Sequence, residues 1–192
     1  MTPEPAALWS GGWYQAARLL NSPHCDERPA DAKIDLLVVH SISLPPGHYG
    51  GREVEALFMG TLDCAAHPYY ERLQGVRVSA HFFVRRDGEV LQFVDCDQRA
   101  WHAGASCYRG RSRCNDDSIG VELEGLEGEP FEPAQYGALV PLGRALTQRY
   151  PIAHIAGHEH IAPGRKADPG AAFDWAQLQK RLQLPGVNFP PR

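Results

Sequence analysis

The sequence predicts a single α/β domain, a mixed central β-sheet flanked by helices. Three observations carry this. Short apolar runs recur at strand length, most clearly Ile-Asp-Leu-Leu-Val-Val-His at residues 34–40 and the period-two alternation at residues 118–124. Asp87-Gly88 between two further runs is a two-residue hairpin signal, which puts an antiparallel pair into the sheet. Residues 133–150 carry one long amphipathic helix pattern, and such a helix needs an apolar face to cover.

The elements follow in order. Residues 9–28 read as an irregular arm laid over the domain, with residues 1–12 as its N-terminal start. Residues 34–40 form the first buried strand, 45–51 a loop, and 52–59 and 68–74 two short helices. Residues 78–85 and 89–94 are the arms of the hairpin. Residues 118–124 alternate Ile119, Val121, Leu123 against Gly120, Glu122, Glu124 and form a middle strand. In the long helix, Pro133 suits the first turn, and Ala138, Leu139, Leu142, Leu146 and Tyr150 lie along one side. Pro141 is expected to kink it, at about 3 kcal/mol unless context compensates. A short strand at 152–156, a closing helix at 173–182 and a tail at 184–192 complete the chain. Helices and strands alternate irregularly, so the sheet is expected to be mixed and not purely parallel.

Composition narrows the function classes. A chain of 192 residues suits one core and is short for two. Its 19 basic residues are scattered against 23 acidic ones, so no nucleic-acid surface is expected. No apolar run approaches the roughly 20 residues that cross a bilayer, so no membrane partner is expected either. Residues 1–10 hold Glu4 and neither Lys nor Arg, unlike a secretory signal, which points to a cytoplasmic protein. The five cysteines are odd in number and lack a CxxC pair, which reads as thiols, with a Cys107–Cys114 disulfide left open. A monomer is expected.

The chemistry concentrates in Gly157-His158-Glu159-His160-Ile161-Ala162-Pro163-Gly164-Arg165-Lys166-Ala167-Asp168-Pro169-Gly170. Its prolines and glycines predict a loop, and histidine with aspartate is a transition-metal donor set. His40 ends the first strand and His158 the last, so both reach the sheet edge where ligands gather in α/β folds. His40 is either a ligand or a histidine satisfied by a backbone carbonyl. Asp168 returns ten residues after His158, giving the three protein donors and open position of a catalytic zinc site. His160 competes with His158. Glu122 is either a solvated carboxylate or a general base beside the metal. Lys166 is either a surface lysine or an oxyanion stabiliser. Trp101 is a core residue or a stacking surface for a sugar or peptide. Arg77 and Arg113 are solvated charges or partners of an anionic ligand.

Several segments together resemble a known family. They are Ser22-Pro23-His24-Cys25-Asp26-Glu27-Arg28-Pro29, Leu37-Val38-Val39-His40, His48-Tyr49-Gly50-Gly51, Val78-Ser79-Ala80-His81 and Arg85-Arg86-Asp87-Gly88. They continue through Arg99-Ala100-Trp101-His102-Ala103-Gly104, Arg113-Cys114-Asn115-Asp116 and Ser118-Ile119-Gly120-Val121-Glu122-Leu123-Glu124-Gly125 to Gly157-His158 and Ala162–Gly170. The chain is similar over residues 13–182 to the zinc-dependent N-acetylmuramoyl-L-alanine amidases of the second class, and within them to the cytosolic 1,6-anhydro branch of cell-wall recycling. The resemblance implies a fold related to the peptidoglycan-recognition domain. It also implies Zn²⁺ on His40, His158 and Asp168, and catalytic Glu122 and Lys166. Arg77, Trp101 and Arg113 become contacts to an anhydromuropeptide substrate. Two other readings stand beside it, a secreted or periplasmic amidase acting on intact wall and a muropeptide-binding module without catalysis. Ser41 stands where the family usually carries Asn.

Overall fold

The structure, a computed structural model, describes residues 8–190. Six strands build the central sheet: β1 (Arg18–Leu19), β2 (Leu36–Ile42), β3 (Phe82–Val84), β4 (Val90–Gln92), β5 (Ser118–Glu124) and β6 (His154–Gly157). Their spatial order is β6-β2-β5-β3-β4-β1. β6, β2, β5 and β3 run parallel, β4 turns back antiparallel to β3, and β1 runs parallel to β4. The sheet is therefore mixed, and its antiparallel step is the Asp87-Gly88 hairpin. The helices are α1 (Glu53–Phe58), α2 (Pro68–Glu71), α3 (Pro133–Arg149), α4 (His158–Ile161) and α5 (Trp175–Leu182).

Period-two alternation splits the parallel strands between two faces. Leu37, Val39, Ile119, Val121, Leu123 and Ile155 pack with Leu139, Leu142 and Leu146 of α3 and Leu178 and Leu182 of α5. Each such side chain contributes about 1.5–3 kcal/mol by leaving water, so this face holds the fold together. The opposite face is smaller and more polar. Leu36, Val38 and Ala156 meet Ala103, Cys114 and Ile161 there, and His40, Ser118 and Glu122 are buried. A third cluster joins Val54, Leu57 and Phe58 of α1 and Tyr70 of α2 to Phe83, Leu91 and Phe93.

Three expectations change. The arm at 9–28 is partly regular: Trp9–Ser10 pairs with Trp13–Tyr14, Cys25–Asp26 pairs with Arg99–Ala100, and β1 forms the sheet edge. Two-residue strands are too short to show alternation, and buried Gln92 ties this arm down by accepting from Tyr14 N–H and donating to the Gly12 carbonyl. The start of the predicted arm, residues 1–7, and residues 191–192 of the tail lie outside the described residues.

Second, α3 runs unbroken through Pro141. The carbonyl freed by the missing amide belongs to Gly137, and both residues are exposed, so it is left facing solvent and not buried. A capping box of Glu132 and Gln135 starts this helix, and the Gln135 amide donates to the carbonyls of Val84 and Glu124, fixing α3 across two strand ends.

Third, the Pro-Gly segment is not loop from its first residue. His158–Ile161 forms the short helix α4 ahead of Pro163, with Gly157 N–H donating to His160 Nδ1 at 2.9 Å.

Candidate active site

Strand register assembles the site. On β2 and β5, His40 stands opposite Glu122, and on β6, Gly157 stands opposite Val39. His158 follows Gly157, so the carboxyl ends of three adjacent parallel strands present His158, His40 and Glu122 in a row, at the edge where α/β sheets bind ligands. The segment after α4 then returns Asp168 to the same place. There the Asp168 carbonyl oxygen accepts from Glu159 N–H at 2.9 Å, which fastens the loop to the helix.

The convergence is tight. His40 Nδ1 lies 2.9 Å from His158 Nδ1 and 3.2 Å from Asp168 Oδ2, and His158 Nδ1 lies 3.1 Å from Asp168 Oδ2. All three side chains are buried, and they are a group whose donor atoms could hold one metal ion. Neighbouring donors around a tetrahedral zinc are about 3.3 Å apart, close to the edges of this triangle. Chemistry agrees with spacing. His158 Nε2 faces the Ala103 carbonyl oxygen at 3.2 Å. A carbonyl oxygen only accepts, so this contact calls for a proton on His158 Nε2 and a lone pair at Nδ1, the donor Arg165 Nη2 standing farther off at 3.4 Å. Burial holds the His40 imidazole down to about 4, so this ring is neutral near pH 7. A carboxylate oxygen and neutral imidazole nitrogens crowded together in a dry site call for a cation.

Glu122 is the next group outward. Its Oε1 lies 3.9 Å from His40 Nδ1, and its Oε2 is buried without a hydrogen-bond partner. Burial and, after it, the Asp168 charge push its carboxyl well above the usual range, while Lys166 pulls the other way. A buried carboxyl with an unused oxygen in a cleft is poised for proton transfer.

The cleft in front of these groups has a volume of about 580 Å³. Glu122, His158, Lys166 and Asp168 form its polar floor, and Leu44, Leu57, Phe58, Tyr69, Val78 and Trp101 its apolar wall. Lys166 is exposed, at the end of a turn in which its N–H donates to the Ala162 carbonyl. The Trp101 indole donates to Asp26 Oδ1 at 3.0 Å and stacks on His24, which holds its ring in the wall. Arg77 and Arg113 do not line this cleft. Arg77 borders a separate cavity of about 200 Å³ that shares Leu57, Leu73 and Val76 with it. Arg113 is an exposed side chain paired with Asp116 at 3.1 Å. His160 is outside the donor triangle and packs edge-on against Trp175.

The sequence reading missed His102, noted only as the neighbour of Trp101. Its Nδ1 lies 2.9 Å from His40 Nε2, directly behind the donor triangle. The available signal was Gly120, since a lone glycine inside a strand pattern marks a close approach. A Cβ there would sit 2.5 Å from the His102 ring.

The family model for N-acetylmuramoyl-L-alanine amidase matches residues 30–171, which spans β2 to the donor Asp168. The chain belongs to this family. The amidase is 54% identical over 174 residues to 1,6-anhydro-N-acetylmuramyl-L-alanine amidase AmpD of Escherichia coli (strain K12), covering 90% of this chain and 95% of that one. A crystal structure of a selenomethionine AmpD derivative superposes with a TM-score of 0.89 at 53% identity, covering 91% of the amidase and 99% of that chain. A complex of the amidase AmiD from E. coli with anhydro-N-acetylmuramic acid-L-Ala-D-gamma-Glu-L-Lys superposes with a TM-score of 0.58 at 31% identity, covering 81% and 60%. The match along nearly the whole of both AmpD chains makes this one an amidase of the 1,6-anhydro type.

Proposed function

We propose that this amidase is zinc-dependent and hydrolyses the amide between (1,6-anhydro)N-acetylmuramic acid and L-alanine of a muropeptide stem, in peptidoglycan recycling. The observation that carries the reading is the buried triangle of His40, His158 and Asp168 with Glu122 beside it, in a chain that matches AmpD over 90% of its length. His40, His158 and Asp168 would hold the ion. When bound, zinc polarises a carbonyl and brings the pKa of a water to about 7.

The protein's own groups supply the rest. Glu122, aimed into the cleft with a free oxygen, takes the proton of the attacking water and later returns it to the departing amine of L-alanine. Lys166, exposed at the cleft floor and not buried in an ion pair, is free to swing onto the oxyanion that develops on the lactyl carbonyl. The apolar wall from Leu44 to Trp101 takes the carbon face of the sugar and excludes water. Arg77 and Arg113 do not line the cleft, and their guanidinium groups suit the acidic part of a stem peptide that extends beyond it.

A cytoplasmic location suits the five free thiols, and no helix among the described residues is long and apolar enough to cross a membrane. We take residues 1–192 as one amidase domain, acting as a monomer. The test is hydrolysis of soluble anhydromuropeptide against intact sacculi, each with and without a chelator. Chelator-sensitive release of the stem peptide from the soluble substrate, with sacculi left intact, is expected. Binding without release, or equal release from sacculi, overturns it.

A further inference from the structure

Beside His40 a file of buried polar groups runs from the cleft, which His102 also lines, into the protein. His40 Nε2 lies 2.9 Å from His102 Nδ1, His102 Nε2 lies 3.2 Å from Ser118 Oγ, and the Ser118 hydroxyl donates to the Cys114 carbonyl oxygen. The far end fixes the direction of the whole file. A carbonyl oxygen cannot donate, so the single Ser118 proton is committed to Cys114 and Ser118 Oγ accepts from His102 Nε2–H. Among the described residues the buried His102 ring has two hydrogen-bond partners, Ser118 Oγ at Nε2 and His40 Nε2 at Nδ1, and no carboxylate. A neutral ring protonated at Nε2 has its lone pair at Nδ1, and that lone pair accepts from His40 Nε2–H. His40 is left with an unprotonated Nδ1, the atom that faces His158 and Asp168 at 2.9 and 3.2 Å.

The placement of His102 is itself enforced. Asn115 Oδ1 accepts from the backbone N–H of both His102 and Ala103, at 3.1 and 2.8 Å. Across the sheet, Gly120 leaves the space that the ring fills. The next residue, Ala103, offers its carbonyl to His158 Nε2 and to Arg165 Nη2, at 3.2 and 2.8 Å. One turn, residues 101–104, thus stands behind both histidines of the triangle. His158 is oriented by main chain and His40 by a side chain.

We propose that His102 is a positioning residue that locks His40 in its Nε2–H tautomer and so presents the Nδ1 lone pair to the cation. This rests on the metal reading of the triangle, but the tautomer is measurable without metal. Long-range ¹H–¹⁵N correlation of the metal-free wild type is expected to show His40 protonated on Nε2 alone. Zinc affinity, by competition with a chromogenic chelator, is expected to fall roughly 10- to 100-fold in His102→Phe, the range typical for loss of an outer partner of a metal ligand. His102→Gln, whose amide keeps one acceptor and one donor, is expected to recover much of it. Ser118→Ala, which frees the far end of the file, is expected to lose less than His102→Phe.

A wild-type His40 protonated on Nδ1, or a folded His102→Phe that binds zinc within about two-fold of wild type, overturns the proposal. Should His102→Phe not fold, the wild-type spectrum and Ser118→Ala decide. A wild type that binds no zinc defeats the functional reading instead, and the spectrum still decides this one.

Discussion

Adjacent residues of β2 and β5 face opposite sides of one sheet and answer to different demands. Val39, Val121 and Leu123 sit in the apolar layer under α3, where volume is what matters. His40, Gly120 and Glu122, each one residue away, face the other side, where the chemistry of His40 and Glu122 and the space left by Gly120 matter. The same strands thus carry stability on one face and chemistry on the other. Substitutions a single residue apart should fail in different assays.

The largest separation is expected at the donor triangle. His158→Ala removes one of three converging donors and leaves the layer under α3 untouched. Zinc content should fall from about one equivalent to near zero, and turnover with it, while a cooperative unfolding transition remains. Elemental analysis of the purified variant checks this, and near-stoichiometric zinc would remove His158 from the ligand set.

Glu122 and Leu123 are the sharpest neighbouring pair. Glu122→Gln should keep zinc and lose turnover by about 10²- to 10⁴-fold, the range of a general base. It should not destabilise the metal-free protein at neutral pH. The Glu122 carboxyl is held above its usual range, mainly by burial, so the folded state retains a proton that the unfolded state releases. Stability from this group is therefore lost as pH rises from the unfolded value of about 4.3, and glutamine removes that dependence. Leu123→Ala should do the reverse, costing about 2–5 kcal/mol in denaturant titrations while the folded fraction keeps its zinc and its kcat. A stable Leu123→Ala with impaired kcat would break the division between the faces.

Gly120→Ala tests whether the polar face tolerates bulk at all. The added methyl group would sit 2.5 Å from the buried His102 ring, so the ring must shift. A stability loss of about 1–3 kcal/mol is expected, together with weaker zinc binding, because the ring that moves is the one behind His40. Stability loss with unchanged zinc affinity would confine Gly120 to packing.

How far these features were legible in the chain follows from the range of the interactions. The strands at 34–40 and 118–124 and the helix at 133–150 announce themselves by local periodicity, and the structure has them within a few residues. The donor set needed more, since His40 and His158 are 118 residues apart and meet only through the register of β2 and β6. The convergence of these side chains was readable because several motifs resemble one family in order along the chain. The role of His102 left almost no trace. It is fixed by Asn115, Ser118 and Gly120 from other parts of the fold, and a histidine in a loop has no period to betray it. The two-residue strands of the arm were equally silent, as their partners are distant in sequence: Gln92 holds Tyr14, β4 receives β1, and Arg99–Ala100 receives Cys25–Asp26.

The smallest effect is expected at the rim, at Arg113. This residue adopts a positive φ of 60°, a conformation that glycine takes without cost and arginine does not. Its side chain is 69% exposed, and its ion pair with Asp116 is of the surface kind worth about 1 kcal/mol or less. Neither feature favours arginine for the fold. Arg113→Gly should therefore change stability by no more than about 1 kcal/mol, with relief of backbone strain offsetting the lost pair. If the guanidinium holds the acidic end of the stem peptide equally in ground and transition states, KM should rise roughly 5-fold with kcat unchanged. The rise should vanish for a substrate trimmed to L-alanine alone. An unchanged KM with the full stem would take Arg113 off the substrate path and leave its strained backbone without a functional reason.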